Sequence, residues 1–208
     1  MKLVEMKVNE YLDVLKSDAP APGGGSVSAL DGAQGVGLFL MVCDLTLGKE
    51  KFSEYQDICK EAKEKGIKLF EGLVDAVDKD TEAFNLVSAA FKMPKDTEEA
   101  KKARSKAIAD GTLVATEVPF KTMEMAYEGL LITKTLEGKS NPNAASDLGV
   151  AVLNLMSCIR GAWLNVKINL PGVKDEEAKN SFEVRGQRIV SDAEEVAKVL
   201  YDRILNSL

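Results

Sequence analysis

From Phe52 to Phe91 one apolar stripe recurs at helical spacing: Phe52, Tyr55, Cys59, Ala62, Gly66, Leu69, Leu73, Val77, Asp80, Phe84, Val87 and Phe91. The mean step is about 3.5 residues, the period of a long helix packed lengthwise in a bundle. Pro94 ends it. No stretch alternates polar and apolar residues between turn dipeptides, so strands are not expected. The expected fold class is all-α: a single-domain helical bundle of about six helices over residues 1–208, one of them long.

The remaining helices follow from the same spacing. Val8, Tyr11, Leu12 and Leu15 predict a short amphipathic first helix that stops before Pro20 and Pro22. After Pro22-Gly23-Gly24-Gly25-Ser26, a second helix is expected from a Ser26 or Ser28 N-cap through Leu47, stopped by Gly48. It is rich in small residues and poor in helix propensity, so close approach of a neighbouring backbone must compensate. Thr97 and Asp96–Glu99 signal a fourth helix that kinks or restarts at Pro119, and Gly138 closes a fifth stretch. An apolar helix then runs from Leu148 to about Leu170, capped by Asn143 or Ser146. The last runs from Asp175 to Leu208, interrupted or frayed near Gly186, with Ile189, Ala193, Val196, Leu200 and Ile204 inside.

Composition removes several kinds of chemistry. The 208 residues include no histidine, which excludes histidine bases, Ser-His and Cys-His pairs and histidine-ligated metals. A net charge of -6 provides no basic field for nucleic acid or anionic membranes. The longest apolar run, Val36 to Cys43, falls short of the roughly 20 residues of a membrane span, and Met1–Glu10 carries no secretory h-region. Cys43, Cys59 and Cys158 form no CxxC pair and read as reduced thiols in a cytoplasmic protein.

Acid–base work therefore falls to Asp, Glu, Lys, Tyr or Cys. Asp80 sits inside the apolar stripe, where desolvation raises a carboxylate's pKa toward neutrality; the alternative is a buried Asp capping a helix or pairing with Arg. Asp78 lies roughly 200° away around the helix, on the face expected to be wet. Gly23, Gly24, Gly25 and Ser26 open a helix, which suits an anion but equally a tight turn. Asn143, Ser146 and Asp147 are either cap residues or polar recognition at a helix mouth. Asn165 and Asn169, at i and i+4 amid apolar residues, need partners in protein or ligand.

Five ordered segments carry a resemblance that spans nearly the whole chain: Pro20-Ala21-Pro22-Gly23-Gly24-Gly25-Ser26-Val27-Ser28-Ala29-Leu30, Leu45-Thr46-Leu47-Gly48-Lys49, Val77-Asp78-Lys79-Asp80-Thr81-Glu82-Ala83-Phe84, Asn141-Pro142-Asn143-Ala144-Ala145-Ser146-Asp147 and Leu164-Asn165-Val166-Lys167-Ile168-Asn169-Leu170. Together they resemble the cyclodeaminase/cyclohydrolase family of folate enzymes. The resemblance implies an all-helical, homodimeric enzyme acting on one-carbon tetrahydrofolates, possible polyglutamates included, with Asp80 as its catalytic residue. It implies no cofactor beyond the tetrahydrofolate substrate, and no metal. The first reaction expected is formiminotetrahydrofolate cyclodeamination; the alternative is methenyltetrahydrofolate cyclohydrolysis. A non-catalytic folate- or protein-binding helical module is the third reading. The polar turns at Gly23–Ser26 and Asn143–Asp147 are expected to hold the pterin or the glutamate carboxylates, the glycine turn suiting the carboxylates better, with Asn165 alongside. In two-domain relatives a formiminotransferase domain precedes this one; a cyclodeaminase of the present length calls for a separate formiminotransferase. Asp31 departs from the small residue expected there and bears on packing or substrate preference near the second helix.

Overall fold

The computed structural model describes residues 2–208 and is all-helical, with six α-helices and short 3-10 turns among the described residues. They are α1 (Val8–Leu15), α2 (Gly24–Thr46), α3 (Gln56–Phe91), α4 (Glu98–Leu136), α5 (Ala145–Asn169) and α6 (Glu176–Ser207). From α2 onward each helix packs antiparallel on the one before, and α5 closes back on α2 to complete a four-helix core. Gly25 meets Asp80 while Gly66 meets Phe39, and Gly24 meets Asn165 while Gly35 meets Ala151 and Leu155. The helix α6 lies outside, on α5 and α4.

The small residues of α2 explain themselves in this packing. A Cβ on Gly32 would lie 2.8 Å from Cys158 Sγ, and one on Gly35 2.7 Å from Leu155 Cγ and 3.1 Å from the Ala151 carbonyl. The weak helix propensity is offset by the closeness of α5. The helix begins at Gly24, with Gly23 as N-cap, rather than at a Ser26 or Ser28 cap. Both serines are buried and bond elsewhere. Leu47 follows the last turn and Gly48 takes the left-handed conformation, φ 73°.

Other expectations shift for identifiable reasons. In α1 only Tyr11 is buried, while Val8 is 77% and Leu12 51% exposed. The long stripe is buried from Cys59 to Val77, but Phe84 and Phe91 are exposed. The cause is length: α3 runs 11 residues past Asp80, about 16 Å, beyond the start of α2 at Gly24. Asp78 is buried, not wet, because the N-terminal turn covers it and the Leu3 N–H donates to its Oδ1 at 2.6 Å.

Pro119 does not restart α4, which is continuous to Leu136, with Thr97 as N-cap and Gly138 left-handed beyond its end. A proline leaves the carbonyl four residues earlier without its helical donor, and here Asn169 Nδ2 donates to that Ala115 oxygen at 2.8 Å. Likewise α6 passes Gly186 unbroken; the glycine admits the Trp163 ring, which any Cβ there would overlap. Asn141, not Asn143 or Ser146, caps the turn into α5 by accepting from the Asn143 N–H.

By length and composition alone, Gly24–Thr46 and the stretch Pro142–Gly172 could each cross a membrane. Both are core helices of the bundle, with half or more of each apolar window buried by neighbouring helices.

Candidate active site

Where α2 begins and α5 ends, the longer α3 and α4 continue, and the resulting ledge holds a cavity of about 300 Å³. Its wall is formed by Pro20, Ala21, Gly23 and Gly24; α3 contributes Asp80, Phe84 and Val87, α4 Ala115, and α5 Asn165, Ile168 and Asn169.

Asp80 caps α2 from outside that helix. Its Oδ2 accepts from the Ser26 N–H at 2.9 Å and lies 3.3 Å from Ser26 Oγ. Ser26 Oγ donates to the Val77 carbonyl at 2.7 Å and stands 3.2 Å from Thr81 Oγ1, so α2 and α3 are pinned together at this point. Gly25 is required by the contact, since any Cβ there would overlap the Asp80 carboxylate. Burial pushes the Asp80 pKa up, and the Ser26 N–H and hydroxyl oppose it. Among the described residues no Lys or Arg lines the cavity. Asp80 is thus a half-buried carboxylate at a cavity wall, free of the arginine pairing that would make it purely structural.

The asparagines face the same space as acceptors. Asn165 Nδ2 donates to the Gly161 carbonyl at 2.8 Å, and Asn169 Nδ2 to Ala115 and, at 3.0 Å, to Asn165 oxygen. Both N–H groups of Asn169 and one of Asn165 are bonded to backbone carbonyls, so each side chain keeps its carbonyl oxygen for a ligand and Asn165 keeps one N–H as well. The polar lining of Asp80, Asn165 and Asn169 therefore suits a cation or an N–H-rich ring edge and disfavours a carboxylate.

Of the residues singled out from sequence, Gly23, Gly24, Gly25, Ser26, Asp80 and Asn165 meet at this ledge. Asn143, Ser146 and Asp147 do not join them; they sit at the opposite end of the bundle, where Asn141 packs on the end of α2 through Thr46 and Leu45. The separation is the length of α2, about 34 Å for its 23 residues. At the glycine turn Asp80 takes the Ser26 N–H and sets a carboxylate beside the start of α2. Sequence reasoning left Asn169 outside the site; its signal was the i−4 carbonyl that Pro119 frees. Asp31 lies on the rim of the α2–α5 seam, where Ser157 Oγ donates to it at 2.7 Å.

A larger groove, about 630 Å³, runs between α3 and α4. Of its rim charges, Lys79 pairs with Asp75 and Lys121 with Glu117 along their own helices, and Glu124 with Arg185. Among the described residues no three Cys, Asp or Glu groups gather as metal ligands.

Known proteins resemble this chain in sequence and in fold. The family model described as formiminotransferase-cyclodeaminase matches residues 7–188. A methenyltetrahydrofolate cyclohydrolase of Methylorubrum extorquens is 39% identical over 168 residues, 81% of each chain. The formimidoyltransferase-cyclodeaminases of Dictyostelium discoideum and Gallus gallus are 35% and 31% identical over 95% and 93% of this chain, which spans 36% of either relative. In fold, the chain superimposes on the crystal structure of formiminotetrahydrofolate cyclodeaminase from Thermotoga maritima with a TM-score of 0.79, covering 98% of this chain and 96% of that one at 24% identity. By sequence match along most of its length and by fold, this chain belongs to the formiminotransferase-cyclodeaminase family.

Proposed function

We propose that the ledge cavity is the active site of a one-carbon folate enzyme in which Asp80 moves a proton at the carbon joining N5 and N10 of tetrahydrofolate. The observation that carries this is a raised-pKa carboxylate at the wall of a cavity whose described lining adds two asparagine carbonyl oxygens and no cation. A pterin presents N–H donors at its edge, and the formimino and methenyl groups are cationic, so both match such a lining. At about 300 Å³ the cavity is at the small end of ligand sites. It suits the ring system, with the glutamate or polyglutamate tail outside.

In the cyclodeaminase direction, N10 attacks the formimino carbon of 5-formiminotetrahydrofolate. Asp80 takes the N10 proton and returns it to the amino nitrogen, the C–N bond breaks, and ammonia leaves the 5,10-methenyl cation. Asp80 as carboxylate then faces the positive product. The fused cyclodeaminase relatives support this direction.

The second reading is favoured by the 39% identical cyclohydrolase, whose length this chain matches. Here Asp80 takes a proton from water as its oxygen bonds to the methenyl carbon. The C–N5 bond then breaks, N5 receives that proton, and the hydroxyl proton is released to leave 10-formyltetrahydrofolate. Both directions act on one carbon with one carboxylate and require neither metal nor organic cofactor. A homodimer in the cytosol completes the reading, with a separate formiminotransferase as supplier in the cyclodeaminase case.

The test follows the methenyl chromophore with purified protein. Its appearance from 5-formiminotetrahydrofolate supports cyclodeamination, and its accelerated loss from 5,10-methenyltetrahydrofolate supports cyclohydrolysis. Neither change, at protein concentrations matching the substrate, overturns the enzymatic reading.

A further inference from the structure

Pro119 lies inside α4 and lacks the N–H that would close on the Ala115 carbonyl four residues earlier. That oxygen is taken from another helix: Asn169 Nδ2, at the end of α5, donates to it at 2.8 Å. The second N–H of the same amide goes to the Asn165 backbone carbonyl at 3.0 Å. Both donors of Asn169 are therefore spent, one on α4 and one on α5. Turning the amide over would strand both N–H groups and set Oδ1 against two carbonyl oxygens, so the surrounding backbone fixes its orientation.

The Asn169 Oδ1 lies across Cγ from the bonded nitrogen, away from those two carbonyls, and takes no hydrogen bond among the described residues. Asn169 is half-buried, and the space it adjoins is the ledge cavity that it shares with Asp80. The other polar side chains of the wall are less committed. Asn165, one turn earlier, spends one N–H on Gly161 and presents a donor as well as an acceptor. Asp80 changes charge with its proton. Asn169 is the wall's neutral acceptor, held in one orientation and with no donor left to offer.

On the folate reading of the cavity, on which this rests, we propose that Asn169 is a specificity-determining residue whose Oδ1 accepts a hydrogen bond from the 2-amino group of the pterin ring. That group carries two N–H bonds at the end of the ring remote from the carbon on which Asp80 acts. Asp80 from α3 and Asn169 from α5 thus hold the two ends of one ring system. A ring turned to present its 4-oxo group to Asn169 would set oxygen against oxygen, with no N–H of that amide to relieve it. A site built around such an acceptor rejects a ring that lacks the donor.

The experiment measures, by anaerobic titration calorimetry, the binding of tetrahydrofolate and of its 2-desamino analogue to the parent chain, Asn169→Ala and Asn169→Ser. The serine hydroxyl can return to the Asn165 carbonyl four residues back, so this variant keeps a donor at the helix end while withdrawing the amide oxygen from the cavity. Tetrahydrofolate is expected to bind either variant about tenfold more weakly than the parent, the worth of one hydrogen bond. The 2-desamino analogue is expected to bind the parent no more tightly than the variants. In turnover KM rises by the same factor with kcat little changed. A cavity merely distorted by the substitutions weakens both ligands to the same degree; that result overturns the proposal, as does undiminished binding of tetrahydrofolate by the variants. A parent chain that does not bind tetrahydrofolate at all overturns the folate reading, and the role of Asn169 falls with it.

Discussion

A carboxylate that caps one helix from the flank of another answers a structural need and a chemical one, and at Asp80 the two pull on its proton in opposite directions. The Ser26 donors favour the charged form, and burial, the larger influence, favours the neutral one. A folded-state pKa above the unfolded value means that folding binds a proton: the associated stability is present below the ordinary carboxylate range and is lost as pH rises through the raised value. Asp80→Asn fixes the side chain in its neutral form and keeps an oxygen for the Ser26 N–H. We predict that it melts no lower than the parent at neutral pH, while turnover drops by about 10²–10⁴-fold. The parent's own kcat/KM should fall on acidification through the raised value, where the base is consumed. Full activity in the Asn variant would remove Asp80 from the proton path, and a sharp loss of melting temperature would make it chiefly a cap.

Between elements, the spacing of the α2 glycines separates those that admit a neighbour from those that do not. Gly35 meets Leu155 and the Ala151 backbone closer than a Cβ tolerates, whereas a Cβ on Gly37 would touch only the Phe70 ring at an ordinary 3.5 Å. Gly35→Val is expected to cost about 1–3 kcal/mol from overpacking. Gly37→Ala, two residues along the same helix, should gain about 0.5–1 kcal/mol from helix propensity. Urea midpoints of the two variants moving the same way would contradict the seam as described. The period of α3 and the smallness of α2 were legible in the sequence because packing in a bundle imposes both directly. Helix interruptions were not, because whether Pro119 or Gly186 breaks a helix depends on what a distant residue supplies: an amide from Asn169, a ring from Trp163. The same limit governs the site. Gly23–Ser26, Asp80 and Asn165 converge because three helices end or pass there, while Asn143, Ser146 and Asp147 share their polar character but belong to the other end of α5.

At the scale of the whole molecule, the notable surface is apolar. On α5, Val150, Leu153, Leu164 and Ile168 lie within 60° of one another around the helix by its 100° step, and the last two are 70% and 78% exposed. On α2, Met41 and Leu45 face outward as well, and the Asp31–Ser157 hydrogen bond marks where the two outward faces meet. Exposed apolar residues gathered on one face suit association, and a two-fold pair would bring the same face of two copies together. The homodimer proposed above is best seated here. The expected particle in light scattering at micromolar concentration has twice the 22.5 kDa mass of one chain. Met41→Glu combined with Leu153→Glu places two charges on the face, away from the cavity, and should weaken association by roughly 100-fold or more. The pair of variants then scatters as 22.5 kDa while its circular dichroism stays helical. A parent chain that is already monomeric at tens of micromolar, or a double variant as dimeric as its parent, would move the association off this face, and the exposed residues of α5 would then need a different partner to account for them.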